Sequence, residues 1–321
     1  MVRYKRLSAT EEDVKRVLRL ISERVRYVED YETESSISAN SSAVILEYEV
    51  PSGYALEVVA VGVVPDFDPT DQSSGLEYVY FKEGTSGKVI PNMEFYANWF
   101  YNTLPFGDQG SRQPIRRFDT PLTKGNLTLK FSEKEKFQVV GVAGSSAAGL
   151  VKCRMIGFLL EEADVQSVYG VSIGDFPKLP GGHANENNEF LYAKRVTNSS
   201  ATSGAGKFED IGTIEFPDWL SVRLTHIGVK PHAYSANMKI YDEKTKIEFP
   251  DRDPYWLIYE YANTLPMGSH LDRHPMQPLP AVIGAYEWRN TTMHIQVKDT
   301  GSAIPAGGLK IQLLGVQRRV G

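Results

Sequence analysis

The chain has 321 residues, with 35 Lys and Arg against 40 Asp and Glu, and its formal net charge of -5 provides no overall basic field to recruit nucleic acid. Its one cysteine, Cys153, excludes an intramolecular disulfide framework, and no apolar run reaches the roughly 18 residues of a membrane span. Met1 to Arg6 lead into charged sequence, so the expectation is cytoplasmic synthesis without an export signal or membrane insertion.

Residues 10–30 read as an amphipathic helix. Thr10 and Asp13 form a capping-box pattern, and Val14, Val17, Leu18, Ile21, Val25 and Val28 recur at steps of three and four on one face. The run from Glu32 to Ser42 is polar, so residues 1–42 read as a helix on a flexible arm, with that apolar stripe as a candidate protein-docking surface. Eight Lys/Arg against six Asp/Glu in residues 1–30 leave only +2, which favours a protein partner over phosphate.

From residue 43 the period changes to two. Val44, Leu46, Tyr48 and Val50 alternate, as do Leu56, Val58 and Ala60, and turn residues such as Pro51-Ser52-Gly53, Gly84 and Gly87 punctuate the runs. Asp66, Asp68 and Asp71 gather three hard oxygen donors after a strand, which suits either a calcium site or a solvated acidic turn. Cys153 lies in a strand-like stretch and reads as a core or face residue rather than a catalytic thiol. Residues 163–209 are rich in Gly, Ser and Asn and read as a linker or excursion with one short strand at Phe190 to Val196. His270 and His274 have a metal-site spacing, but Gly268 and Pro275 put them on a loop.

The chain also repeats itself. Asn102-Thr103-Leu104-Pro105 returns as Asn263-Thr264-Leu265-Pro266, the run from Leu56 to Pro65 as that from Leu220 to Pro231, and Met155-Ile156-Gly157-Phe158 as Leu313-Leu314-Gly315-Val316. Leu127, Leu129 and Phe131 alternate as Met293, Ile295 and Val297 do. Two copies of one domain follow, over 43–162 and 210–321, too long for a solenoid repeat. The fold class expected is all-β: two tandem duplicated antiparallel β-sandwiches of jelly-roll type behind an N-terminal amphipathic helix.

Little in the chain carries chemistry. There is no Gly-x-Ser-x-Gly elbow and no phosphate-cradling glycine loop before a helix, so neither an enzyme nor a cofactor is expected. Tyr96, Trp99, Phe100 and Tyr101 recur as Tyr255, Trp256, Tyr259 and Tyr261, which suits core packing in both copies. The alternative is a sugar-stacking platform built on Trp99, Tyr101, Trp256 and Tyr259.

The stretches from Val50 to Val63 and from Cys153 to Phe158 resemble strands of tandem jelly-roll virion structural proteins, of capsid, decoration or spike type. The resemblance implies a shell, decoration or tail-associated subunit, assembled without disulfides into a virion. Its partners would be other protein subunits, including further copies of itself. The alternative function is a carbohydrate- or ligand-binding tandem sandwich.

Overall fold

The computed structural model describes residues 26–34, 36–64, 75–97, 115–117, 127–177, 188–230, 232–252, 277–278 and 286–320. Its first half holds strands β1 (Arg26–Glu34), β2 (Ser42–Glu49), β3 (Tyr54–Val64), β4 (Leu76–Glu83), β5 (Lys88–Tyr96), β6 (Ile115–Arg117), β7 (Leu129–Phe131), β8 (Lys136–Ala143) and β9 (Val151–Glu161). Helix α1 (Glu162–Tyr169) and a 3-10 turn (Ile173–Asp175) follow. The second half holds β10 (Glu189–Thr197), β11 (Phe208–Phe216), β12 (Leu220–Lys230), β13 (Ser235–Asp242), β14 (Glu248–Arg252), β15 (Gln277–Pro278), β16 (Glu287–Trp288), β17 (Thr291–Asp299) and β18 (Lys310–Arg319).

Alternation makes these strands. In β17, Met293, Ile295 and Val297 are buried while Thr292, His294 and Gln296 stay partly open, the period-two pattern of a sheet with one covered face. β9 buries Val151, Cys153 and Met155 in the same way. The pairing is antiparallel within each half: β9 joins β1 and β3, β8 joins β2 and β4, β4 joins β5, and β3 takes β6 and β7. Adding nine to every label gives the second half: β18 joins β10 and β12, β17 joins β11 and β13, β13 joins β14, and β12 takes β15 and β16.

The irregularities recur too. Bulges at Ile45, Val59 and Glu77 have counterparts at Ile211, Thr225 and Ala236. Gly157 faces the Val59 bulge and Gly315 the Thr225 bulge. A Cβ on Gly157 would sit 2.9 Å from the Glu57 carbonyl oxygen, and one on Gly315 would sit 2.2 Å from that of Arg223. A bulge pushes backbone toward the facing strand, so only glycine fits there.

The fold is all-β, two antiparallel β-sandwiches. One core fills the first, with Phe81, Phe131, Phe137, Leu56 and Met155 at its centre, and a second gathers Trp288, Phe216, Leu224, Ile295 and Leu313. The outer face of β3 and β9 is covered by α1 and the 3-10 turn, where Ala55, Leu160, Val165, Ile173 and Phe176 form a third cluster.

Several expectations need correction or fall elsewhere. Residues 1–25, with Val14, Val17, Leu18, Ile21 and Val25, lie outside the described residues. Arg26 to Asp30, the end of the expected helix, belong with Val28 to strand β1. The arm after it is not a bare tether either: β1 runs to Glu34, and Ile37 bridges Ala148. Pairing with β9 overrides the helix-like spacing of Val25 and Val28. Residues 163–209 hold α1, the 3-10 turn and β10, a full sheet member rather than a linker strand. The stretch that corresponds to β17 is β8, not Leu127 to Phe131, which holds β7. The repeated Asn-Thr-Leu-Pro segments lie outside the described residues.

Candidate functional site

The sheets pair up in an uneven way. β5, β4, β8 and β2 of the first half continue directly into β10, β18 and β12 of the second, so one nine-stranded sheet walls both sandwiches. The join is a single parallel bridge, Ala193 to Met93. Ala193 and Leu314 from the second half pack into the core of the first.

Side chains complete what one bridge leaves open. Gln312, only 1 % exposed, accepts the Tyr96 amide at 3.0 Å and donates to the Glu94 carbonyl at 3.0 Å, so its amide stands in for a strand neighbour. Gln317 accepts from the Asn92 side chain at 2.8 Å and donates to the Leu191 carbonyl at 2.7 Å. The Tyr96 hydroxyl donates to the Val196 carbonyl at 3.1 Å; burial pushes that hydroxyl up to about 12 in pKa against the pull of Arg195. Arg195 crosses the seam. Its guanidinium carbon lies 3.3 Å from the Tyr78 ring centre, with Glu94 at 3.3 Å and Glu77 at 3.7 Å. Buried amides left without partners are costly, so a seam in which they are satisfied holds the two sandwiches in one register.

A second feature lies at one end of the second sandwich. An open cleft of about 630 Å3 is lined by residues of the β11–β12, β13–β14 and β16–β17 turns, with Trp219 at its side. Beneath it Asp242, 1 % exposed, accepts from the Lys244 and Thr245 amides at 2.9 and 2.8 Å, Thr291 at 2.8 Å and Tyr286 at 2.8 Å. Burial alone would raise its carboxyl, but the Thr245 amide and the Tyr286, Thr291 and Thr245 hydroxyls outweigh that and hold it below the ordinary carboxylate range. Glu83 plays the same part in the first half, accepting the Thr85 and Ser86 amides at 2.7 and 2.6 Å.

Trp99, Tyr101, Trp256, Tyr259, Asp66, Asp68, Asp71, His270 and His274 lie outside the described residues. Cys153 is a buried free thiol. Among the described residues no group of three or more His, Cys, Asp or Glu is arranged to hold a metal, and no helix is long and apolar enough to cross a membrane. Gln312, Gln317, Arg195 and Trp219 were missed. Aligning the halves on Gly157 and Gly315 exposes the glutamines, since Gln317 then stands where the first half has the core residue Leu159.

No protein-family model matches the chain, and no curated protein does. Solved structures do. The chain is similar to the major capsid protein P2 of bacteriophage PM2, at 11% identity over 92% of this chain and 98% of that one, with a TM-score of 0.43. It is similar to a chain from the Sulfolobus turreted icosahedral virus, at 7% identity over 92% and 91%, with a TM-score of 0.47. A further likeness is to PNGase F, a glycosylasparaginase from Flavobacterium meningosepticum, at 11% identity over 91% and 96%, with a TM-score of 0.31. None of the three reaches a TM-score of 0.5, and no function is carried over from them.

Proposed function

We propose that this protein is an internally duplicated structural subunit of a virion or similar supramolecular assembly, and that its partners are further copies of itself. The observation that carries the reading is the handedness of the seam. It joins the β5 edge of one half to β10, which is the counterpart of β1 and not of β5. Among the described residues, such a head-to-tail contact leaves its complements unpaired at the far sides. β14, the counterpart of β5, is an edge of the four-stranded sheet, and β1 is an edge of the five-stranded one. The kinship of β5 and β14 extends to a proline inside each strand, Pro91 and Pro250.

A contact that is head-to-tail within the chain can be repeated between chains, with β14 of one copy against β1 of the next. Repetition of one heterologous contact closes a ring or extends a lattice, which is the geometry a shell subunit needs. The duplicated pairing and bulges support this, because two similar units present similar edges. Virion location and the choice among capsid, decoration and tail roles are part of the proposal.

The test is the solution mass of the full-length chain, by light scattering over a concentration series. A ring or larger particle, in multiples of 35.9 kDa, is expected. A monomer at every concentration overturns assembly from copies of this chain alone.

A further inference from the structure

Trp219 holds a large apolar ring in solvent, 54% exposed. The first half has a related turn. Its Pro51 turn closes with the Tyr54 amide on the Pro51 carbonyl at 3.2 Å, as the Pro217 turn closes with the Leu220 amide on Pro217 at 3.1 Å. Glu133 holds the first turn through Ser52 and Gly53, and Arg289 holds the second through the Asp218 carbonyl at 2.6 Å. Yet the position of Trp219 is filled in the first half by Gly53, in the left-handed region at φ 83°. That turn closes without a side chain at this position and on a different backbone, since Trp219 is outside the left-handed region.

The mount beneath the indole is stiff. The Val320 amide donates to the Trp219 carbonyl at 2.8 Å and the Asn290 amide reaches Pro217 at 3.4 Å. Across the cleft the Glu243 amide donates to Thr292 at 3.0 Å, and Asp242 fixes the Lys244 amide from below. The wall of the cleft beside the ring includes Phe216 and Pro217 together with Glu215, Glu243, Lys244, Asn290 and Thr292.

From this combination we infer that the Trp219 cleft is a binding site for a neutral hexopyranose, presented on an oligosaccharide. A pyranose has a face of C–H groups that lies on an indole, and a rim of hydroxyls that both donate and accept. The wall supplies carboxylates that accept, an ammonium that donates, and an amide and a hydroxyl that do both. A peptide groove would instead offer apolar side-chain pockets or an unpaired strand edge. Two carboxylates against one ammonium disfavour an anionic sugar. The cleft volume falls within the roughly 300–1,000 Å3 of small-ligand sites.

The full-length chain is applied to an array of neutral and sialylated glycans, and neutral hits are titrated by saturation-transfer difference NMR. Wild-type protein is expected to bind a neutral oligosaccharide. Trp219→Ala should weaken it at least roughly tenfold and Trp219→Phe should retain most of it, with both variants keeping the wild-type circular dichroism and melting curve. Silence of the wild type across the neutral glycans overturns the inference. So does an unchanged affinity in Trp219→Ala, or a preference for sialylated glycans.

Discussion

Asn92 and Gln317 are separated by 225 positions in the chain, and the Asn92 side-chain nitrogen donates to the Gln317 side-chain oxygen at 2.8 Å. The contact joins a strand of the first sandwich to the closing strand of the second. It belongs to a set of polar contacts that makes two sandwiches one body.

Gln312 is the member whose loss should be felt most. Gln312→Ala leaves the buried Tyr96 amide and Glu94 carbonyl without their partner, at about 1–3 kcal/mol for an unsatisfied group. Urea unfolding should then show an earlier midpoint, or two transitions where the wild type shows one. A curve superimposable on wild type would refute the role given to this side chain.

Gly315→Ala and Gly157→Ala test the shared bulge. Both add a Cβ against facing backbone, at 2.2 Å from the Arg223 oxygen and 2.9 Å from the Glu57 oxygen. Overpacking of this kind costs about 1–3 kcal/mol, with Gly315→Ala expected to be the worse of the two. Thermal melts of both variants decide the ranking.

Asp242 sets an acid limit. Its carboxyl is held below the ordinary range of about 3.9, so the unfolded chain takes up the proton first as pH falls. The stabilisation is fully present above about pH 4–5 and is lost as pH drops through the lower folded value. Asp242→Asn should therefore be less stable than wild type at pH 7, and the gap should narrow toward pH 3. Urea midpoints across that range measure it; a gap that widens on acidification contradicts the assignment.

Under α1 the Tyr169 hydroxyl donates to the Glu57 carboxylate, which is wholly buried beside its cross-strand neighbour Lys130. Tyr169→Phe removes a donor from a buried acceptor while keeping the ring against Phe176. A loss of about 1–3 kcal/mol is expected by calorimetry, and an unchanged melting temperature would show that the hydroxyl contributes nothing.

Cys153 is 1% exposed in β9. An aromatic disulfide reagent should leave it unmodified in the native chain and label it fully in urea. Rapid native labelling would mean that β9 opens.

How far the sequence foretells this structure depends on the range of the contacts. β3 and β12 are legible because each is an apolar run beside the same Pro-led turn. β1 is not, because its partner β9 lies more than a hundred residues away and Val25 and Val28 continue a local helical spacing. β10 is hidden among Gly, Ser and Asn, although its Phe190, Tyr192 and Val196 are buried. The mismatch of Leu127 to Phe131 with β17 has another cause: neighbouring strands share period two, so alternation alone cannot say which strand is which. Trp219 was open to view once Pro217 was set against Pro51, but the meaning of an indole in place of glycine comes only from its exposure.

The join at β5 also has a consequence for the chain while it is being made. β9, which completes the first half, ends at Glu161, and β10 begins at Glu189, roughly 1–6 s later at ordinary synthesis rates. During that interval a folded first half presents β5 as an open rim able to capture a neighbouring nascent chain. Pro91 lacks an amide hydrogen there, and Asn92 turns the backbone into the left-handed region at φ 55°. The rim that welcomes β10 is thus broken at its middle, which guards it against a stranger's strand until its own arrives.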